Sequence, residues 1–180
     1  MARIKPLDIE KSAPSVKRAF QNHMDAYHAR ITNMKATLGY SQIAFEAYMQ
    51  WYPLYEEVKK ITGERLAYLF AYAVSYAADC PLCTTFFRKI IIDAGEQPEN
   101  FEVSNQEQHL LTFGSDIAKN KGLIRDEIFE AVKAIYTDEQ MVVLIAFAGQ
   151  MIATNIFNNV IETEIDDYLI PYLSKQQNIV

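Results

Sequence analysis

Cysteine is scarce in this chain, two residues among 180, and two thiols exclude the multi-bridge framework that staples small secreted domains. Positive charge is also in deficit: 17 Lys and Arg against 23 Asp and Glu give a formal net charge of -6. That balance supplies no basic field for nucleic acid or an anionic membrane surface, so neither is an expected partner. The opening Met1-Ala2-Arg3-Ile4-Lys5-Pro6 turns polar before any apolar h-region forms, and a cytoplasmic location is expected. The longest strongly apolar stretch, Met141 to Ala148, runs into Gly149, Gln150, Thr154, Asn155, Asn158 and Asn159. As a run it is too short and too interrupted to span a bilayer, and no membrane anchor is expected. There is no convincing strand pattern, internal repeat, low-complexity tract or long linker. Residues 1–180 are therefore expected to form one all-α domain, for which a hydrophobic content of 50% supplies a core.

What is present is apolar spacing at the helical period between start and stop signals, which predicts about seven helices. After an extended start from Met1 to Lys11, the first runs from about Pro14 to Arg30 and the second from Ser41 to about Lys60, kinked or divided at Pro53. A third covers Gly63 to Asp79, with Thr62 as its N-cap. A fourth starts at Pro81 and continues to Ala94, where Gly95 stops it. Ser104 with Glu107 and Thr137 with Gln140 have capping-box spacing and open helices from Asn105 to Lys119 and from Asp138 to about Tyr168, with a shorter one from Arg125 to Tyr136 between them. The third helix reads LAYLFAYAVSYAA from Leu66 to Ala78, apolar or aromatic on every side. Such a helix is either central to the core or buried against another chain.

The two cysteines are Cys80 and Cys83, separated by Pro81 and Leu82. Pro81 disfavours helical geometry at Cys80 and suits the first helical position itself, so Cys80 becomes an N-cap and Cys83 lies in the first turn. Residues three apart on a helix share a face with Cα atoms about 5–6 Å apart, within disulfide range. Both sulfurs then lie beside the unpaired amides of a helix start, which favour thiolate, while Asp79 opposes a second negative charge. A thiolate beside a partner thiol supports a definite cycle: attack on a peroxide O–O bond, sulfenic acid, then condensation to a disulfide. Zinc is the competing use of cysteine, but His23 and His28 are five apart, about 140° off a common helix face, and nothing brings them to the cysteines. Neither a metal nor a cofactor is expected.

Ala73-Val74-Ser75, Cys80-x-x-Cys83 and Ala94-Gly95 form a helix, CxxC, helix, glycine block. Together with Ala2-Arg3-Ile4-x-Pro6-Leu7-Asp8, Asn33-Met34 and the stretch from Asp126 to Asn159, that block resembles the carboxymuconolactone decarboxylase family, in its alkylhydroperoxidase D-like branch. The resemblance covers nearly the whole chain. It implies an all-helical subunit that assembles into homo-oligomers, trimers or hexamers, with the cysteine pair buried near subunit contacts. It also implies reduction of a hydroperoxide or disulfide substrate, Cys83 attacking, Cys80 resolving, and a dithiol protein restoring the pair. The helix-start argument favours Cys80 as nucleophile instead, so the order stays open.

In the family's peroxidases a glutamate twelve residues before the first cysteine and a histidine four after the second form a proton relay; those positions hold Tyr68 and Phe87 here. Candidate substitutes are Glu64, one turn before Tyr68 on the same face, Tyr68 itself, Ser75 on that side of the helix, and His109 if folding brings it near. The structural alternatives are a first-turn carboxylate for Glu64, core packing for Tyr68, a helix-backbone hydrogen bond for Ser75 and a surface position for His109. Three functions follow. The leading one is a thiol-dependent peroxidase or disulfide oxidoreductase in antioxidant defence. The others are a non-catalytic redox sensor or scaffold, and decarboxylase-type acid–base chemistry on a small organic acid, which calls for Arg and His around a carboxylate pocket.

Overall fold

The computed structural model describes residues 1–174, and among them every regular element is helical. In chain order these are α1 (Pro14–Tyr27), α2 (Asn33–Leu38), α3 (Gln42–Met49), α4 (Trp51–Thr62), α5 (Glu64–Ala77), α6 (Pro81–Asp93), α7 (Asn105–Lys119), α8 (Asp126–Lys133) and α9 (Asp138–Ile161). Short 3-10 helices span Ile9–Lys11 and Asp167–Tyr172. The count exceeds the seven expected for identifiable reasons. α2 is a six-residue helix whose N-cap, Thr32, sits in a stretch too short to show a period. The expected helix after Ser41 divides at Gln50, three residues before Pro53, because a proline cannot donate to the carbonyl of Met49 and its ring clashes there. Pro53 is thereby placed in the first turn of α4, where its missing N–H costs nothing. Thr62 ends α4 and bonds back to the Val58 carbonyl; Gly63, at φ 82°, is the N-cap of α5.

Both capping boxes form. Ser104 accepts from the Glu107 amide while the Glu107 carboxylate accepts from Ser104 N, and Thr137 and Gln140 repeat the arrangement. Ser104→Ala is expected to cost about 1 kcal/mol, seen in urea unfolding as a lower midpoint at unchanged slope. α9 ends at Ile161, with Glu162 in the left-handed region at φ 52°, seven residues short of the expected end.

The helix that is apolar all round takes the central place. α5 is packed by α7, α6, α4 and α9, and it buries every residue from Leu66 to Ala71 together with Tyr72, Val74 and Ser75. α7 approaches it closely at Gly114, where a Cβ would come within 2.5 Å of the Phe70 ring. α9 continues the core through Leu144, Phe147, Ala148 and Met151. It is also one uninterrupted helix of 24 residues, and an 18-residue window of it has a mean hydropathy of 1.6, long and apolar enough by length and composition to cross a membrane, so the expectation of a stretch too short to span is corrected. Polar residues after Ala148 do not break it: Thr154 bonds back to Gln150 O, Asn158 donates to Cys83 Sγ, and Asn159 donates to the carbonyls of Ala78 and Asp79. Its outer face leaves Val142, Ile145, Ile156 and Val160 exposed.

Candidate active site

The cysteine pair is set by two helix ends. α5 closes in a Schellman motif: Asp79 adopts φ 49°, its amide donates to Tyr76 O, and the Cys80 amide donates to Ser75 O. α9 clamps this turn, since Asn159 Nδ2 donates to the carbonyls of Ala78 and Asp79 at 3.3 and 3.1 Å. α6 then starts as the sequence predicts, with Pro81 at its first position and Cys80 Sγ accepting from the Cys83 amide at 3.4 Å. Gly95, at φ 85°, closes its far end.

The two sulfurs are unequal. The thiol of Cys83 donates toward Cys80, which holds the Cys80 thiol below its ordinary range although burial opposes this. The same bond, with burial and the Cys80 charge, pushes Cys83 up. Reduced, the pair therefore carries its first negative charge on Cys80 and its shared proton on Cys83. Asn158, from α9, donates through Nδ2 to Cys83 Sγ at 3.3 Å and is the group that favours thiolate there. Asn158→Leu is expected to slow Cys83 alkylation by roughly tenfold near neutral pH and to shift its pH profile upward, readable by mass spectrometry with iodoacetamide.

Cys83 opens onto a cavity of about 120 Å³, which Cys80 does not line. Its wall is aromatic, from Tyr48, Trp51, Tyr52, Phe86, Phe87 and Tyr168, with Met34, Met49 and Met151 between the rings. Phe87, where the resemblance implies a histidine in peroxidases, is thus part of the wall. Lys35 and Asp166 are the charged residues of the lining, and no Arg or His contributes to it. The Asp167–Tyr172 segment packs on α6 and lays Leu169 over the cysteines. It is fastened by Arg88 Nε to Tyr172 O at 2.9 Å and by Asn33 N to Asp166 Oδ1 at 2.9 Å.

Three of the four relay candidates lie elsewhere. Glu64 is exposed at the start of α5, roughly 20 Å of helix away from the turn that carries the cysteines. Tyr68 donates to Glu96 at 2.8 Å, in a cluster where Arg65 also binds Glu96, beyond the opposite end of α6 from the pair. Burial first, and then that bond, push Tyr68 up to about 12. His109 is exposed on α7. Ser75 is adjacent: its carbonyl holds the Cys80 amide, and its buried hydroxyl has no hydrogen-bond partner among the described residues. The groups that sequence reasoning passed over are Lys35, Tyr52, Asn158 and Asp166. The signal for Asn158 was the polar interruption of an apolar helix; the other three have none at the level of sequence.

No protein-family model and no curated protein matches this chain, but solved structures do. The debrominase Bmp8 superposes with a TM-score of 0.76 at 17% identity, over 94% of this chain and 95% of its own. A cysteine-to-alanine variant of Bmp8 in complex with 2,3,4-tribromopyrrole gives 0.76 at 18%, over 94% of each chain. A peroxidase-related protein of Ralstonia eutropha JMP134, described as an alkylhydroperoxidase AhpD core, gives 0.66 at 16%, over 92% of this chain and 94% of its own. One from Silicibacter sp. TM1040 gives 0.67 at 12%, over 92% and 94%. The chain therefore has the all-helical alkylhydroperoxidase D-like fold of these structures, the fold that the resemblance of its CxxC block implies.

Proposed function

We propose that this protein is a thiol-dependent oxidoreductase that reduces a small substrate held in the aromatic cavity, with a hydroperoxide as the substrate class. The observation that carries the reading is the asymmetry of the pair: Cys83 lines the cavity, and Cys80, behind it, does not. The order is then Cys83 first. Its proton passes to Cys80 and its sulfur attacks the terminal peroxide oxygen, breaking the O–O bond; the alkoxide takes up a proton and leaves as the alcohol. Cys80, again deprotonated, displaces hydroxide from the Cys83 sulfenic acid. The products are an alcohol, water and a disulfide, and an external dithiol returns two electrons and two protons. A homo-oligomer belongs to the same proposal, supported by the exposed apolar residues along α9.

A second reading is reductive dehalogenation of a small ring, favoured by the aromatic wall and by the debrominase among the proteins of this fold. Cys83 would take the halogen as a sulfenyl halide, the ring carbon would take a proton, and Cys80 would expel halide as the disulfide forms. One assay separates the readings: cumene hydroperoxide or a bromophenol is supplied with dithiothreitol, following peroxide loss or bromide release. Repeated turnover with either identifies the reaction. A single stoichiometric oxidation without recycling sinks the enzyme reading and leaves a redox sensor, and inertness toward both acceptors sinks the redox role.

A further inference from the structure

Lys35 is a buried cation that the thiol chemistry does not use. Only 6% of it is exposed, and it lines the same cavity as Cys83. Its Nζ donates to Tyr52 Oη at 2.7 Å and to Arg30 O at 2.9 Å. An ammonium has three protons, and among the described residues these are the two acceptors found. Among the described residues no carboxylate lies within ion-pair distance: Asp166 is the acidic group in the lining, and it is engaged by the Asn33 amide. A buried ammonium without a paired anion is costly, and such a group lining a largely apolar cavity has the chemistry of a ligand anchor.

We propose that Lys35, held by Tyr52, anchors an anionic group, a carboxylate or ionised hydroxyl, on a small ring-bearing substrate whose reducible end faces Cys83. The inference rests on reading this cavity as the substrate site and adds the class of molecule that fills it. The volume of about 120 Å³ is somewhat below the roughly 150 Å³ cavity that accepts benzene, so the occupant has a single ring. Met34, Met49 and Met151 line the same space and give way more readily than branched side chains. The anion is specified by what faces the lysine. His23 is packed edge-on to Tyr52 at 4.8 Å between centroids, and burial followed by the Lys35 charge brings it down to about 4, so it is neutral near pH 7. Tyr52 and Tyr168 are pushed up to about 12 by burial first and remain neutral phenols. Arg30 lies over the Tyr168 ring at 4.1 Å, and Asp166 is the single negative group among these neighbours. Burial brings Lys35 itself down to about 8, which Asp166 partly offsets.

The sole tryptophan of the chain, Trp51, lines the cavity, so intrinsic fluorescence reports its filling directly. The test titrates benzoate and the uncharged single-ring compound toluene into the reduced protein. Benzoate is expected to bind and to weaken by roughly 10- to 100-fold in Lys35→Met, the loss of a hydrogen-bonded charge, while toluene changes by about twofold or less. In the unaltered protein benzoate binding should weaken as pH rises through about 8, where the ammonium is lost, with toluene unaffected. This second arm needs no variant and stands if Lys35→Met fails to fold. Benzoate that binds no better than toluene, or whose affinity ignores both the substitution and the pH, overturns the proposal. Neither readout uses the cysteines, so a protein that turns over peroxide but ignores benzoate fails here alone. One that binds benzoate but never turns over fails only the redox reading.

Discussion

Replacing Cys83 by serine is expected to lower peroxide turnover by roughly 10³-fold or more, whereas Cys80→Ser should stop the cycle after one turnover with Cys83 oxidised. A hydroxyl at position 83 meets the substrate but is not ionised at neutral pH, and no other thiol lines the cavity. In Cys80→Ser the attacking sulfur is still present but nothing condenses with its sulfenic acid, which should persist and be trapped by dimedone as a mass increase on the peptide bearing Cys83. The opposite pattern, with a trapped acid at position 80 and a dead Cys80→Ser enzyme, would reverse the order. The rate should rise with pH as the pair loses its shared proton, because the attacking form is the Cys83 thiolate. For an anionic substrate it should fall again above about 8, as Lys35 becomes neutral. A bell-shaped profile is thus expected for an acidic hydroperoxide and a simple rise for a neutral one.

The second large effect is on stability. Phe147→Ala should cost about 3–5 kcal/mol and lower Tm by roughly 10 °C or more in calorimetry. Phe147 is fully buried where three helices meet, with ring centroids 5.8 Å from Trp51, 5.6 Å from Tyr55 and 6.1 Å from Phe70. Its loss opens a hole bounded by large rings on α4 and α5, which cannot collapse without moving helix axes. Trp51 also lines the cavity, and its indole N–H donates to Met151 Sδ. The same substitution should therefore loosen the substrate site and shift Trp51 fluorescence before unfolding begins.

Local chemistry was readable in the sequence wherever it was confined to a few neighbouring residues. Pro81 and the capping pairs Ser104–Glu107 and Thr137–Gln140 act within one turn, and each sits where the spacing places it. The apolar girth of α5 likewise called for burial, in the core or against another chain, and α5 lies in the core. The division expected at Pro53 occurs three residues earlier, at Gln50, because the missing partner lies several residues back, and α2 went unread because so short a helix carries no period. The site divides in the same way. Cys80 and Cys83 form a three-residue motif, but the groups that surround them come from α2, α4 and α9, and tertiary packing alone brings Lys35, Tyr52 and Asn158 to one cavity. Tyr68 was singled out by the resemblance and Glu64 by sharing its helix face. A shared face says nothing of position along the axis, and along the axis they lie toward the far end of α5.

The Asp167–Tyr172 segment makes the protein selective about who may touch its sulfur. With Leu169 laid over the pair, Cys80 and Cys83 expose 1% and 7% of their surfaces. A thiolate must approach a disulfide sulfur directly to exchange with it, and a protein-borne thiol has no such approach while the segment lies in place. In the proposed cycle, oxidation by a small acceptor through the cavity and re-reduction by a bulky donor would therefore be events of different kinds, one set by chemistry and the other by how often this strap lifts. Small and large disulfide reagents, compared on the same reduced protein, would time that motion without any label.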